Sequence, residues 1–181
     1  STEGSLSDGI TVDQDSSALC ITGAINQLLA LPRFTEVKGI TDLDLRSTGA
    51  GGFSDPLPWS TVDSICSVAK VDALATLDLF DLDISYSGGS EIRVAGAEEY
   101  QIDYKVWWNE INIIIIAGWR LYDAVNNIII DQFLFTDKVT YYSEGKTEKS
   151  TISKLPELST TIADAAYYAG EEFGFRISPS W

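Results

Sequence analysis

Apolar residues recur along this chain with two periods, one near 3.6 and one of 2, and the switches between them mark its elements. Leu19, Thr22, Ile25, Leu28 and Leu29 line one face of a helix that Ser16 or Ser17 can cap and Pro32 ends. The stretch "FTEVKGI", residues 34–40, alternates and predicts a strand. Ser60, with Asp63 three places on, predicts the start of a second helix whose Val62, Ile65, Cys66 and Ala69 share a face. From 71 to 87 the period is two again. Its apolar positions are odd at first (Ala73, Ala75, Leu77, Leu79) and then even (Phe80, Leu82, Ile84, Tyr86), which predicts a bulge or strong twist near Leu79 and Phe80. Strand, helix and strand over 34–87 predict a parallel βαβ unit with a right-handed crossover.

After a turn at "SGGS", "EYQIDYKVWWNEINIIIIAGWRLYD" and "NIIIDQFLFTDKVTYY" predict two long strands joined by a reversal at 123–127. Asp123 then serves that turn. Asp131 points opposite to Ile130 and is expected at an edge, a rim or a paired site. A third helix runs from about Leu158 to Phe173, with Ile162, Ala165, Ala166, Ala169 and Phe173 as its buried stripe and Gly174 and Pro179 at its exit. Its alanines favour close packing on a sheet. The fold class expected is α/β (α+β), a mixed, largely antiparallel sheet with a βαβ unit and about three packed helices. Residues 1–15, rich in Ser, Asp and Gly, read as a flexible segment in which "GITV" is at most a short edge strand. Residues 16–181 read as one domain, with 41–58 a long solvated linker.

Composition narrows the function more than the fold. A chain of 181 residues, 45% hydrophobic, buries a core without metal or disulfide staples. Its formal charge of -15 repels phosphate backbones, so a nucleic-acid partner is not expected. There is no His, which removes the usual general base and the commonest transition-metal ligand. No apolar run approaches the roughly 18 residues of a membrane-spanning helix. The opening "STEGSLSDGI" has neither an initiator Met nor an apolar leader and reads as a processed start, and "SALC", ending at Cys20, lacks the preceding apolar stretch of a lipid-attachment box. Cys20 and Cys66 lie in helices without metal or redox spacing. Buried free thiols are expected, with a helix-to-helix disulfide as the alternative.

Candidate chemistry is sparse. "SVAK" and "SEGK" match a Ser-x-x-Lys pattern without its partner motifs, and there is no nucleophile elbow, phosphate loop or dinucleotide fingerprint. Asp78, Asp81 and Asp83 are the one place where paired carboxylates could run a hydrolysis of glycosidase type or hold calcium. Neither a catalytic or metal-binding residue nor a cofactor is assigned. The adjacent pairs Trp107-Trp108 and Tyr141-Tyr142 must point to opposite faces of their strands. Either both sheet faces are covered, or one ring of each pair meets solvent or a partner, which makes the four residues candidate interaction positions.

"LPRF", the "WSTVDSIC" helix leading into "VDALATLDLFDLD", the strand "GWRLYD" with "IIDQF" after it, and the closing "AAYYAGEEFGFRISPSW" together resemble an uncharacterised family of predicted Bacteroidetes lipoproteins. That resemblance spans most of residues 18–181. It implies an envelope protein, anchored in the outer membrane through an N-terminal lipid that lies outside this chain, with further repeat-like sequence following this α/β domain. The α/β pattern is also similar, at the level of fold, to TolB N-terminal-like envelope proteins, a likeness that transfers no residues. The expected function is a non-enzymatic scaffold or interaction module with a protein partner in the cell envelope. The alternatives are a carboxylate-dependent hydrolase, which needs two facing carboxyls, and a small-ligand carrier, which needs a large apolar pocket.

Overall fold

The structure, a computed structural model, describes residues 6–40, 52–96 and 101–178, with side chains from residue 15 onward. Among the described residues four helices and three strands follow in the order α1 (Leu6–Ala30), α2 (Trp59–Ala69), β1 (Ala73–Ala95), β2 (Ile102–Asp123), β3 (Ile128–Gly145), α3 (Glu148–Ile152) and α4 (Leu158–Ile177). The strands form one antiparallel sheet in the order β1-β2-β3. Two compact units divide the chain. The first takes residues up to Leu82, Ile115–Asp137 and Ala163 onward, and the second takes Asp83–Ile114 and Lys138–Ile162. Each strand contributes a segment to both units.

In the first unit the core forms where α1 and α4 meet the sheet. Cys20 and Ala24 of α1, Ala166, Ala169 and Phe173 of α4, and Leu77, Ile115, Ala117 and Trp119 of the strands are buried together. Trp119 and Phe173 stack with centroids 4.3 Å apart and planes 3° from parallel. The small residues of α4 let two helix backbones touch. A Cβ on Gly170 would collide with the Cys20 carbonyl and come within 2.8 Å of the Ala24 nitrogen, and one on Gly23 would strike the Tyr167 carbonyl. The alanine stripe therefore serves helix-on-helix packing as well as packing on the sheet. A second apolar cluster gathers Val62 and Cys66 of α2 with Tyr122. The two cysteines thus belong to different clusters, and both are free thiols. Burial pushes both thiols up, and Asp63 and Asp72 push Cys66 further.

The expected change of phase in β1 is present. Leu77, Phe80 and Leu82 pack on the helical core, while Asp78 meets Arg120 and Leu79 meets Gly118 on the other side. Two successive side chains on one face are the mark of a bulge.

Other expectations are corrected. Residues 34–40 form no strand, so among the described residues the expected βαβ unit is not formed. That segment is held by α1 and α2 instead: Gly39 sits against Ile25, and the Lys38 ammonium donates to the Ala69 carbonyl at 2.6 Å. Helix α1 starts at Leu6, with "GITV" inside it, because no proline interrupts the stretch and its polar residues each cost well under ~1 kcal/mol of helix propensity. Helix α2 starts at Trp59 with Pro58 as N-cap and no side-chain cap, so Ser60 lies inside it. "SGGS" does not turn. β1 runs through it, and the two glycines make room for β2, Gly88 beneath the Asn109 amide and Gly89 beneath the Trp108 indole. Helix α3 was not expected; Thr147 caps it, accepting from the Ser150 N–H at 3.2 Å in a capping box. Helix α4 continues through Gly174 to Ile177. Of the expected linker, residues 41–51 lie outside the described residues, as does Pro179. No described helix is long and apolar enough to cross a membrane.

Candidate functional site

The acidic candidates separate by environment. Asp78 is buried and spoken for: its Oδ1 accepts from the Thr76 hydroxyl at 2.6 Å, and its Oδ2 lies 2.6 Å from Arg120 Nη1 without hydrogen-bond alignment. Both side chains of that ion pair are nearly inaccessible, at 3% and 2%. Burial pushes the Asp78 carboxyl up, outweighing Thr76 and Arg120, which pull it down. Arg120 also donates to the Ser54 carbonyl at 2.9 Å, Tyr122 Oη at 3.2 Å and Gln132 Oε1 at 3.3 Å, and Phe53 lies against its guanidinium. The Tyr122 hydroxyl in turn accepts from the Leu57 N–H at 3.0 Å. This hub clamps residues 53–57 onto the sheet. Sequence reasoning missed it, although the signal was present: an arginine in the middle of an apolar strand needs a buried partner, and "ATLDLFD" supplies one.

Asp81 and Asp83 are exposed. Among the described residues no group of three His, Cys, Asp or Glu side chains could hold a metal ion. Asp123 accepts from the Asn126 N–H at 2.9 Å and its side-chain amide at 2.7 Å, and Asn127 takes the left-handed backbone with φ 53°. That carboxylate makes the β2–β3 turn. Asp131 is paired, receiving both forks of Arg176 at 2.7 and 2.9 Å.

The aromatic pairs lie in the second unit. Trp107 is half-buried, with the Lys105 ammonium 4.3 Å from its ring centre. Trp108 is half-buried and lies 6.5 Å from the exposed Tyr142, with planes within 19° of parallel. Tyr141 is half-buried. On the face opposite Trp108, the Asn109 amide joins Tyr86 to Thr151, and the Ser143 hydroxyl donates to the Thr151 carbonyl at 2.8 Å.

The first unit also holds a cavity of about 780 Å³, which lies in the size range of small-molecule sites. Its walls are apolar: Ile21, Ala24, Ile25 and Leu28 of α1, Leu74 and Leu77 of β1, Trp119 and Leu121 of β2, and Phe173 and Ile177 of α4. Segment 33–40 and the end of α2 complete it and bring Arg33, Lys38 and Lys70 together with Glu36 and Asp72. The buried Trp119 indole N–H has no hydrogen-bond partner. Segment 33–40, which includes the stretch whose alternation read as a strand, forms one wall of this cavity. Its half-buried side chains, Phe34 and Val37, stand three residues apart and not alternately as in a strand.

A family model described as a domain of unknown function, DUF8603, matches residues 1–181. No curated protein and no solved structure matches the chain.

Proposed function

The chain belongs to the DUF8603 family, and from its cavity we propose that it is a non-enzymatic binding domain that holds an apolar ligand. The observation that carries this reading is the 780 Å³ space walled by aliphatic and aromatic side chains from six elements, with a few charged groups at hand. An acyl chain or comparable hydrocarbon would gain about 25 cal/mol for each Å² removed from water there. Arg33, Lys38 and Lys70 outnumber Glu36 and Asp72, so a weakly anionic head group suits the polar side. What supports a binding role over hydrolysis is that Asp78 has both oxygens engaged by Arg120 and Thr76. The envelope placement implied by the lipoprotein resemblance, with a lipid tether outside this chain, fits a carrier of this kind.

The test is titration of the purified, delipidated protein with a fluorescent long-chain fatty acid, followed by displacement with unlabelled acid. Saturable binding is expected, and Ile25→Trp, which intrudes into the space, should weaken it by roughly tenfold or more, about 1.4 kcal/mol, with an unchanged far-ultraviolet spectrum. Absence of saturable binding, or full binding by a folded Ile25→Trp, overturns the reading.

A second reading, a protein-interaction module, is favoured by the exposed Ile92, Val94 and Ile102 in the second unit, at 63%, 56% and 69%. Cross-linking in the native envelope with a photoreactive residue at 92 or 102 tests it.

A further inference from the structure

The aromatic face of the second unit has a geometry that neither the cavity nor the sheet requires. Three indole atoms of Trp108 lie at nearly equal distance, 3.3 to 3.4 Å, from where a Gly89 Cβ would stand. A ring equidistant in this way lies flat across β1 rather than upright on β2. Tyr142 of β3 lies beside it, with ring centroids 6.5 Å apart and planes within 19° of parallel. Residues 89, 108 and 142 thus make a broad, shallow aromatic platform across three strands. It points away from the Asn109 side, where α3 packs.

Planar polar groups border the platform and are already fixed in place. On one side Arg93 bridges β1 to β3, bonded to Glu91 and to Glu144 at 2.5 Å each. On the other, Asn112 donates to Glu110 at 2.5 Å and accepts from Thr140 at 2.8 Å. Such a row loses little side-chain entropy when a ligand arrives and presents paired oxygens and N–H groups at its edges.

We infer that this face is a carbohydrate-binding site for neutral, equatorially substituted pyranoside chains. A pyranose of that kind has a flat face of axial C–H bonds whose partly positive hydrogens suit the negative face of an aromatic ring. Its hydroxyls lie around the equator, where carboxylate, amide and guanidinium groups can each engage two neighbours. An apolar peptide would desolvate those polar groups and offer them no bond beyond the ones they already make. The sugar is neutral because Glu91, Glu110 and Glu144 outnumber Arg93 on this face, and the chain as a whole carries a charge of -15.

Isothermal titration and affinity electrophoresis of the full chain with β-linked glucan, mannan and chitin oligosaccharides, beside oligogalacturonate as the acidic control, test the assignment. At least one neutral chain is expected to bind, with oligogalacturonate weaker. Trp108→Ala and Tyr142→Ala should each reduce affinity roughly tenfold or more, one aromatic contact's worth. Ile25→Trp, in the separate cavity, should leave sugar binding unchanged. Trp108→Phe, which keeps a ring over Gly89, guards against misfolding and should retain part of the affinity. Failure of every neutral chain to bind overturns the inference. So does preference for the acidic chain, or binding that folded Trp108→Ala and Tyr142→Ala leave intact.

Discussion

From Ile115 to Tyr122, β2 is covered on both faces: Ile115, Ala117 and Trp119 pack under the two long helices, while Arg120 and Tyr122 are buried on the opposite side. From Trp108 to Ile114 the same strand buries only alternate residues, Asn109, Ile111 and Ile113, and leaves Trp108, Glu110, Asn112 and Ile114 half-buried. Each segment also buries one polar hub, and the hubs differ in kind. The first unit's is ionic, built on Arg120 and Asp78; the second's is neutral, built on Asn109, Tyr86 and Thr151. A strand covered twice must neutralise any charge it carries within the protein, whereas a strand with one open face can send its charges there and keep only neutral groups inside.

The comparison breaks most readily at Arg120. Arg120→Leu leaves the Asp78 carboxylate buried without its cation and releases the Ser54 carbonyl, so a loss of about 3–5 kcal/mol is expected in urea or guanidinium unfolding. The double variant Arg120→Leu, Asp78→Leu should recover much of it, because the orphaned charge is then gone. A double variant no better than the single one would show that the clamp on residues 53–57, and not the charge, carries the energy.

The neutral hub should cost less. Asn109→Ala removes the acceptor of the Tyr86 hydroxyl and one of the two partners of the Thr151 hydroxyl, which still donates to the Glu148 carbonyl, and a loss of about 1–3 kcal/mol is expected. The same denaturant series reads it. A loss as large as that of Arg120→Leu would erase the distinction between ionic and neutral hubs.

How much of this was legible beforehand follows from what each signal encodes. The β2–β3 reversal was readable because Asp123 and Asn127 act locally, one by side-chain bonds and one by a left-handed backbone. The phase change at Leu79 and Phe80 was readable because a period of two leaves a trace when it slips. "SGGS" misled because glycine signals both reversal and close approach, and only Trp108 and Asn109, distant in sequence, decide between them. "FTEVKGI" misled because alternation reports a covered side and an open side but not what does the covering. Here α1 and the end of α2 hold it in place of a neighbouring strand. Ser60 misled for a simpler reason: Pro58 already suits the residue before the first turn, so no side chain was needed there. The cavity itself left no mark in sequence, since its walls come from segments as far apart as Ile21 and Ile177.

The smallest expected effect separates buried from surface pairing by its pH dependence. The Arg176 fork holds the Asp131 carboxyl below the usual carboxylate range. A group lowered in this way stabilises the folded state above its unfolded value, near 3.9, and loses that contribution as pH falls through the folded value. Arg176 is 46% exposed, so solvent screens the pair and Asp131→Asn should cost under about 1 kcal/mol at pH 7. The gap between variant and wild type should then narrow as the pH is taken below the ordinary carboxylate range. Asp78 has the opposite sign. Burial raises its carboxyl, so the folded protein takes up that proton more readily than the unfolded chain, and acidification from the raised folded value down to the unfolded one favours folding at this one group. Stability curves of Asp131→Asn and Asp78→Asn should therefore diverge on the acid side, the first falling less steeply than wild type and the second more steeply. Parallel curves would mean that neither carboxylate differs between the folded and unfolded states, and the contrast between a solvated fork and a buried ion pair would lose its electrostatic basis.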